Sequence, residues 1–170
     1  MNQSAFYNLS YGVYICSAWD EGRPTGCVAN SAMQVTAAPA TVAVSINREN
    51  YTHKCIGDCG YFAITVLSEK VDPRLIGKFG FFSGRDKDKF EGVSYTVRGK
   101  LPVPDDGCAY IVCKVKDKME TPTHTVFLGE VIDADLLKNE KPMTYEYYHR
   151  VIKGKAPKTA PTYNEAKLPD

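Results

Sequence analysis

The sequence lacks most of the features that announce a function outright. It has no charge excess: 21 Lys and Arg stand against 20 Asp and Glu, a net charge of +1. That balance argues against a broad electrostatic nucleic-acid binder and a polybasic membrane anchor, but leaves room for a small basic pocket holding one phosphate. The three histidines, His53, His124 and His149, are too scattered for a metal-ligand signature, so no metal site is expected. None of the six cysteines forms a CxxC pair, which argues against zinc or iron held between two knuckles. No G-x-G-x-x-G stretch occurs, so no dinucleotide-binding domain of Rossmann type is expected. Met1 to Asp20 has no Lys or Arg ahead of its apolar residues and lacks the charged region of a secretory signal. A cytoplasmic location is the default expectation. The uncharged run from Pro24 to Asn47 is long enough to cross a bilayer. Its Asn30, Ser31, Gln34, Thr36, Pro39 and Ser45 would be costly in lipid, so it reads as two strands and a polar turn with no membrane role.

What is present suits a soluble globular chain. The 170 residues are 44% hydrophobic and 24% charged. They make one domain over residues 1–152, followed by an extended C-terminal arm over 153–170, where Lys, Ala, Pro and Thr take over. Tyr11–Trp19 and Arg23–Asn30 read as a hairpin turning at Asp20-Glu-Gly22. Further strands are expected at Thr41–Ile46, Tyr61–Leu67, Tyr110–Met119 and Thr123–Ala134. The Tyr110–Met119 strand puts Lys114, Lys116 and Lys118 on one face and Cys113, Val115 and Met119 on the other. Gly129 marks a bulge or kink in the last strand. Helices are few. One runs over Thr52–Cys59, with Thr52 near its N-cap and Gly60 ending it. Another starts at Asp72-Pro73 and turns Leu75, Ile76 and Phe79 inward. Many short strands with two small helices describe an all-β protein, a closed or nearly closed barrel. Cys55 and Cys59 sit at i, i+4 on the first helix, either as a redox pair or, the blander reading, as small apolar residues.

Five segments carry chemistry-bearing residues. Thr25-Gly-Cys-Val-Ala-Asn-Ser31, with Gln34 and Thr36, offers uncharged donors and acceptors at a strand end, as a flat ligand with polar edges needs. Ser45 to His53 ends a strand and opens a helix, whose free N–H groups suit a phosphate. Phe81 to Phe90 is a turn with Ser83, Arg85, Lys87 and Lys89, a compact cationic patch that neighbouring acids also neutralise. His124 leads into a strand, where its ring faces a cleft or simply packs. Tyr145-Glu-Tyr-Tyr-His-Arg150 either covers a planar ligand or packs on the barrel.

In order and spacing these pieces resemble the flavin reductase-like family, over roughly Phe6 to Ile152. The matching segments are Thr25–Ser31, Pro39–Asn47, Thr52 to Ile56, Phe62–Leu67 and His124–Val131. Ser83–Phe90 and Lys155–Tyr163 look nearest to the flavoredoxins and to the flavin domain fused to rubredoxin in some anaerobes. The resemblance implies a split β-barrel that binds FMN tightly, as a homodimer, with NAD(P)H as a transient donor and rubredoxin or another redox protein as a partner. It places Ala29, Asn30 and Ser31 at the isoalloxazine edge with Gln34 beside them. Ser45, Ile46 and Asn47 would line the ribityl chain. Thr52, His53, Ser83, Arg85 and Lys89 would hold the phosphate. His124 would lie near the flavin as the catalytic candidate, and Tyr148, or its neighbour Tyr147, would cover the ring. The activity implied is an NAD(P)H:flavin oxidoreductase. The alternatives are an electron-transfer flavoprotein without NAD(P)H activity and a non-catalytic flavin- or haem-binding barrel.

Overall fold

The computed structural model describes residues 2–163. Nine strands and three helices follow a short 3-10 helix over Gln3–Asn8. The strands are β1 (Tyr14–Asp20), β2 (Arg23–Ala29), β3 (Ala32–Ala37), β4 (Ala40–Asn47), β5 (Tyr61–Val66), β6 (Tyr95–Arg98), β7 (Leu101–Pro104), β8 (Ala109–Glu120) and β9 (His124–Leu136). The helices are α1 (Tyr51–Cys59), α2 (Pro73–Phe81) and α3 (Tyr145–Arg150). Seven strands form one antiparallel sheet in the order β2-β1-β5-β8-β9-β4-β3, and β6-β7 form a separate ribbon. The sheet curls so that β2 and β4, far apart in that order, share one core: Cys27 and Ala29 pack in the same cluster as Val42, Val44 and Ile46. The seam between these strands is the split in the barrel.

The β1–β2 hairpin closes on Asp20↔Arg23 through Glu21 and Gly22, both at positive φ (49° and 90°). That is the two-residue turn whose twist matches the strands. At Gly129 the structure departs from expectation. The residue lies in regular pairing with Val42 and Val115, and a Cβ there would meet Cys113 Cβ at 2.5 Å and the Phe62 ring at 2.7 Å. Close packing, not a bulge, requires glycine here. Two irregularities lie nearby: in β9 the register skips Ile132, between Asp133↔Val112 and Val131↔Cys113, and in β8 it jumps from Val115↔Gly129 to Asp117↔Leu128. The extra residue, Lys116, reverses the alternation, so Met119 is 61% exposed instead of continuing the inward phase of Cys113 and Val115.

Helix α1 begins one residue before the expected start. Asn50 is its N-cap, without a side-chain capping bond, and Thr52 lies buried in the first turn. Gly60 ends it in the left-handed conformation, its N–H bonded to Ile56 O at 2.9 Å. Helix α2 starts as its sequence predicts, with Asp72 Oδ1 accepting from Arg74 N at 2.9 Å and Pro73 following. Ile76 and Phe79 enter a second core with Val13, Ile15, Leu67, Phe90, Met143 and Tyr148, while Leu75 packs at its margin. The chain leading into α3 is stitched between β1 and β5: Met143 N donates to Leu67 O (2.8 Å), and Tyr145 N to Tyr11 O (2.8 Å). The β6–β7 ribbon, unforeseen in the sequence, covers the far side of the sheet with Leu101 and Val103. Its Pro102 and Pro104 read as strand-breaking, and a ribbon edge tolerates them.

Candidate functional site

A cleft opens along the seam, between the two main cores. Its floor is Cys27, Val28 and Ala29 of β2 and Ser45, Ile46 and Asn47 at the end of β4. Asn30 lies at one side and Asn50, the cap of α1, also lines it. Ile76, Phe79, Gly80 and Phe81 of α2 form one bank, Tyr145 and Tyr148 of α3 another. The arm closes the cleft with Lys155, Ala156, Pro157, Thr159, Ala160 and Pro161. Antiparallel topology explains the convergence. β2 and β4 end at the same mouth, so their polar last residues meet there, and α1 follows directly from β4.

Asn30 is 4% exposed and bonded at both the nitrogen and the oxygen of its amide. Its Nδ2 donates to Thr162 Oγ1 (2.7 Å), and its Oδ1 accepts from Ser31 Oγ (2.9 Å). Thr162 Oγ1 in turn donates to Tyr145 OH (3.0 Å). Ser31 thus fixes which way the amide of Asn30 points. Asn47 turns its Oδ1 back to accept from Glu49 N (2.9 Å), shaping the corner that leads to α1.

Of the expected site residues, the cleft wall contains Ala29, Asn30, Ser45, Ile46, Asn47 and Tyr148. Ser31 supports it from behind. His124 stands at the rim, its Nε2 3.2 Å from Thr159 O and its Nδ1 2.8 Å from Thr123 Oγ1. The others lie elsewhere. Gln34 is on the exposed edge strand β3, bonded to Thr36 O (3.2 Å). His53 faces β9: its Nε2 lies 2.8 Å from Thr125 Oγ1 and its ring 5.3 Å from that of Phe127. Burial holds the His53 imidazole below its usual range, and Arg48 and Lys118 push the same way. That environment disfavours a charged imidazole at His53. The Thr52 hydroxyl turns inward to the Cys27 thiol.

The cationic loop is divided in two. Lys89 is buried, its Nζ donating to Gly26 O and Phe79 O, both at 2.8 Å. It ties β2 to α2 behind the cleft, and burial depresses its pKa. A loop position four residues from Arg85 carries no directional code, so this was not legible from spacing. Arg85, by contrast, is exposed and lies 5.6 Å over the ring of Tyr51, the first residue of α1. Ser83 Oγ accepts from Arg85 N (3.1 Å) and holds the turn. Beside it the hydroxyl of Thr25 is buried against Gly84 with no hydrogen-bond partner among the described residues. A guanidinium, a helix N-terminus and an orphaned hydroxyl therefore gather at one end of the molecule, the end where Asn50 lines the cleft.

Within the Tyr145–Arg150 segment the expected cover was Tyr148 or Tyr147; Tyr145 lines the cleft together with Tyr148, and Tyr147 does not. The signal was available, since Tyr145 and Tyr148 share a helix face at i, i+3. Their rings lie 6.4 Å apart, inclined by 23°. The thiols behave as packing groups. All six are free, and burial pushes Cys55 up to about 11 and Cys113 up to about 12, away from reactive thiolate.

These residues fit a flat, uncharged ring system with polar edges that carries a phosphate: apolar floor, amide and hydroxyl ledge, cation and helix start beyond. A split barrel with such a cleft defines a class of cofactor-binding β proteins. Within it, the chain belongs to the flavin reductase-like family, whose "Flavin reductase like domain" matches residues 6–155. The chain is 44% identical to the high molecular weight rubredoxin of Moorella thermoacetica, over 100% of this chain and 75% of that protein. It is 41% identical to the ferric-chelate reductase (NAD(P)H) of Archaeoglobus fulgidus, over 98% of this chain and 100% of the other. Among solved structures, the NADH:FAD oxidoreductase SgcE6 of Streptomyces globisporus superimposes with a TM-score of 0.75. It is 24% identical, with 82% of this chain and 84% of that one covered, a likeness of fold. Among the described residues no helix is long and apolar enough to cross a membrane, and no cluster of His, Cys, Asp and Glu is arranged to hold a metal.

Proposed function

We propose that this protein is an FMN-binding oxidoreductase that moves electrons from NAD(P)H or a reduced carrier to a flavin or redox-protein acceptor such as rubredoxin. The observation that carries the reading is the Asn30–Ser31 ledge beside an apolar floor lined at one end by Asn50, the cap of α1, with Arg85 over the ring of the next residue, Tyr51. Bound flavin supplies hydride acceptance and electron release in ones or twos. The chain supplies position and field. Asn30, oriented by Ser31, donates its amide N–H to a ring carbonyl, where reduction builds negative charge. Ala29 and Ile46 wall the ring, Ser45 and Asn47 accompany the ribityl chain, and Tyr148 with Tyr145 covers one side. Arg85, held by Ser83, and the backbone N–H groups at Tyr51 and Thr52 take the phosphate. Lys89 acts from behind by fixing β2 against α2. His124 at the rim orients the donor or carries a proton at Nε2.

A homodimer is part of the reading. Edge strand β3 is exposed from Met33 to Ala37 and presents Met33 (66% exposed) and Val35 (47%), an unpaired apolar edge suited to a second copy. Six free thiols suit a reducing compartment, the cytoplasm. The test is to load the protein with FMN and follow NADH or NADPH oxidation with free FMN as acceptor. Turnover above the protein-free rate is expected; a protein that binds FMN but shows no turnover with either nucleotide would leave only electron transfer from a reduced protein carrier.

A further inference from the structure

We propose that the strap from Lys155 to Thr162 is an internal competitor for the flavin cleft, which flavin must displace in order to bind. This rests on the flavin reading above. Three observations converge. First, the space left between strap and barrel is about 40 Å³. That holds a few waters at roughly 10–15 Å³ each, whereas small-molecule sites measure about 300–1,000 Å³. Second, the strap is held by the groups assigned to the flavin. Asn30 donates to Thr162, His124 lies against Thr159 O, and Tyr148 OH donates to Lys155 O (3.3 Å). Third, the hold is built to release. Past residue 150 no strand or helix follows among the described residues, and a few side-chain bonds stand in place of a backbone ladder.

The strap's own sequence suits the role. Ala156-Pro157 and Ala160-Pro161 repeat at a spacing of four, and both pairs line the cleft, while Lys155 and Lys158 are exposed. The pivot is Lys153-Gly154. Lys153 has a φ of 59°, and a Cβ on Gly154 would meet the Tyr148 ring at 2.0 Å. His149 Nδ1 fixes this pivot, 2.9 Å from Gly154 O. The apparent flavin affinity is then the intrinsic affinity reduced by the fraction of molecules with the strap away. Whatever loosens the strap tightens flavin binding.

The experiment uses the full-length protein stripped of flavin, and the variant Thr162→Val, which removes the partner of Asn30 while keeping the side-chain shape. FMN binding is followed by quenching of flavin fluorescence, and the strap by trypsin cleavage after Lys155 and Lys158. Thr162→Val is expected to lower the FMN dissociation constant about three- to tenfold, the scale of one or two hydrogen bonds. It is also expected to speed cleavage without flavin, and saturating FMN should speed cleavage of the unaltered protein to the same level. An unchanged or raised dissociation constant in the variant, or strap cleavage that FMN slows or leaves unchanged, would overturn the competition while leaving the flavin site standing. Absence of FMN binding to both proteins would overturn the flavin reading, and the competition with it.

Discussion

One wall of the cleft consists of strand ends and the other of a strap, and different bonds hold them. Ala29 and Asn47 sit at the ends of strands whose ladders continue into β1 and β9. The strap is fixed by Lys155 and Thr159, each through one hydrogen bond to a side chain of the body, and by Thr162 through two, from Asn30 and to Tyr145. Ladder bonds break together, whereas single bonds break one at a time. The contrast teaches that this fold builds one wall of the cleft on cooperative strand ladders and closes it with a segment held by a few separate side-chain bonds.

The largest effect that sharpens this contrast is expected at Phe79. It is 1% exposed, joins α2 to the second core and walls the cleft. Phe79→Ala should cost about 3–5 kcal/mol of stability in urea denaturation. A cost below about 1 kcal/mol would mean that the body wall is as loose as the strap. Next, Lys89→Met strips the donor from two buried carbonyls and should cost about 1–3 kcal/mol of stability. Arg85→Ala should leave the unfolding midpoint unchanged and weaken FMN binding about tenfold or more. If the two variants exchanged these effects, their roles would be reversed.

The smallest effect is pH dependence. Burial holds the imidazoles of both His53, on the body wall, and His149, beside the strap's pivot, below their usual range. As pH falls through about 6.5 the unfolded chain takes up protons that the folded chain refuses. Stability is therefore full above that pH and declines as pH drops toward the folded-state values. Urea midpoints measured from pH 7.5 to 5.5 should fall, and His53→Gln should remove part of the fall. A midpoint that rises toward pH 5.5 would reverse the sign and reject the buried-neutral assignment.

The same contrast explains what the sequence revealed. Alternation and turn residues located β1, β2, β4, β5, β8 and β9, whereas the roles expected of Asn30 and Asn47 at their ends came from the family resemblance, not from the alternation. Side chains in loops follow no such period. Lys89 and Arg85 look equivalent in sequence, yet one turns to the carbonyls of Gly26 and Phe79 and the other to the first turn of α1. β3, β6 and β7 escaped because a bulge between Gln34 and Thr36, or prolines, hid short strands. Met119 was misplaced because one extra residue at Lys116 inverts a face, and nothing in local composition marks it. From Lys153 onward the composition reads as a linker. Its docking depends on single bonds to residues far away in the chain, which local pattern does not encode; residues 164–170 of the expected arm lie outside the described part.

The central claim is that this cleft cradles a phosphorylated isoalloxazine, with neutral donors at the ring and a cation with a helix start at the phosphate. Equilibrium titration of the flavin-free protein with FMN and, in parallel, with riboflavin tests it most directly. The account predicts that FMN binds and that riboflavin binds weaker by about 10–100-fold, the scale of one or two charge-assisted hydrogen bonds. Equal affinity for the two, or no binding of either, would contradict it.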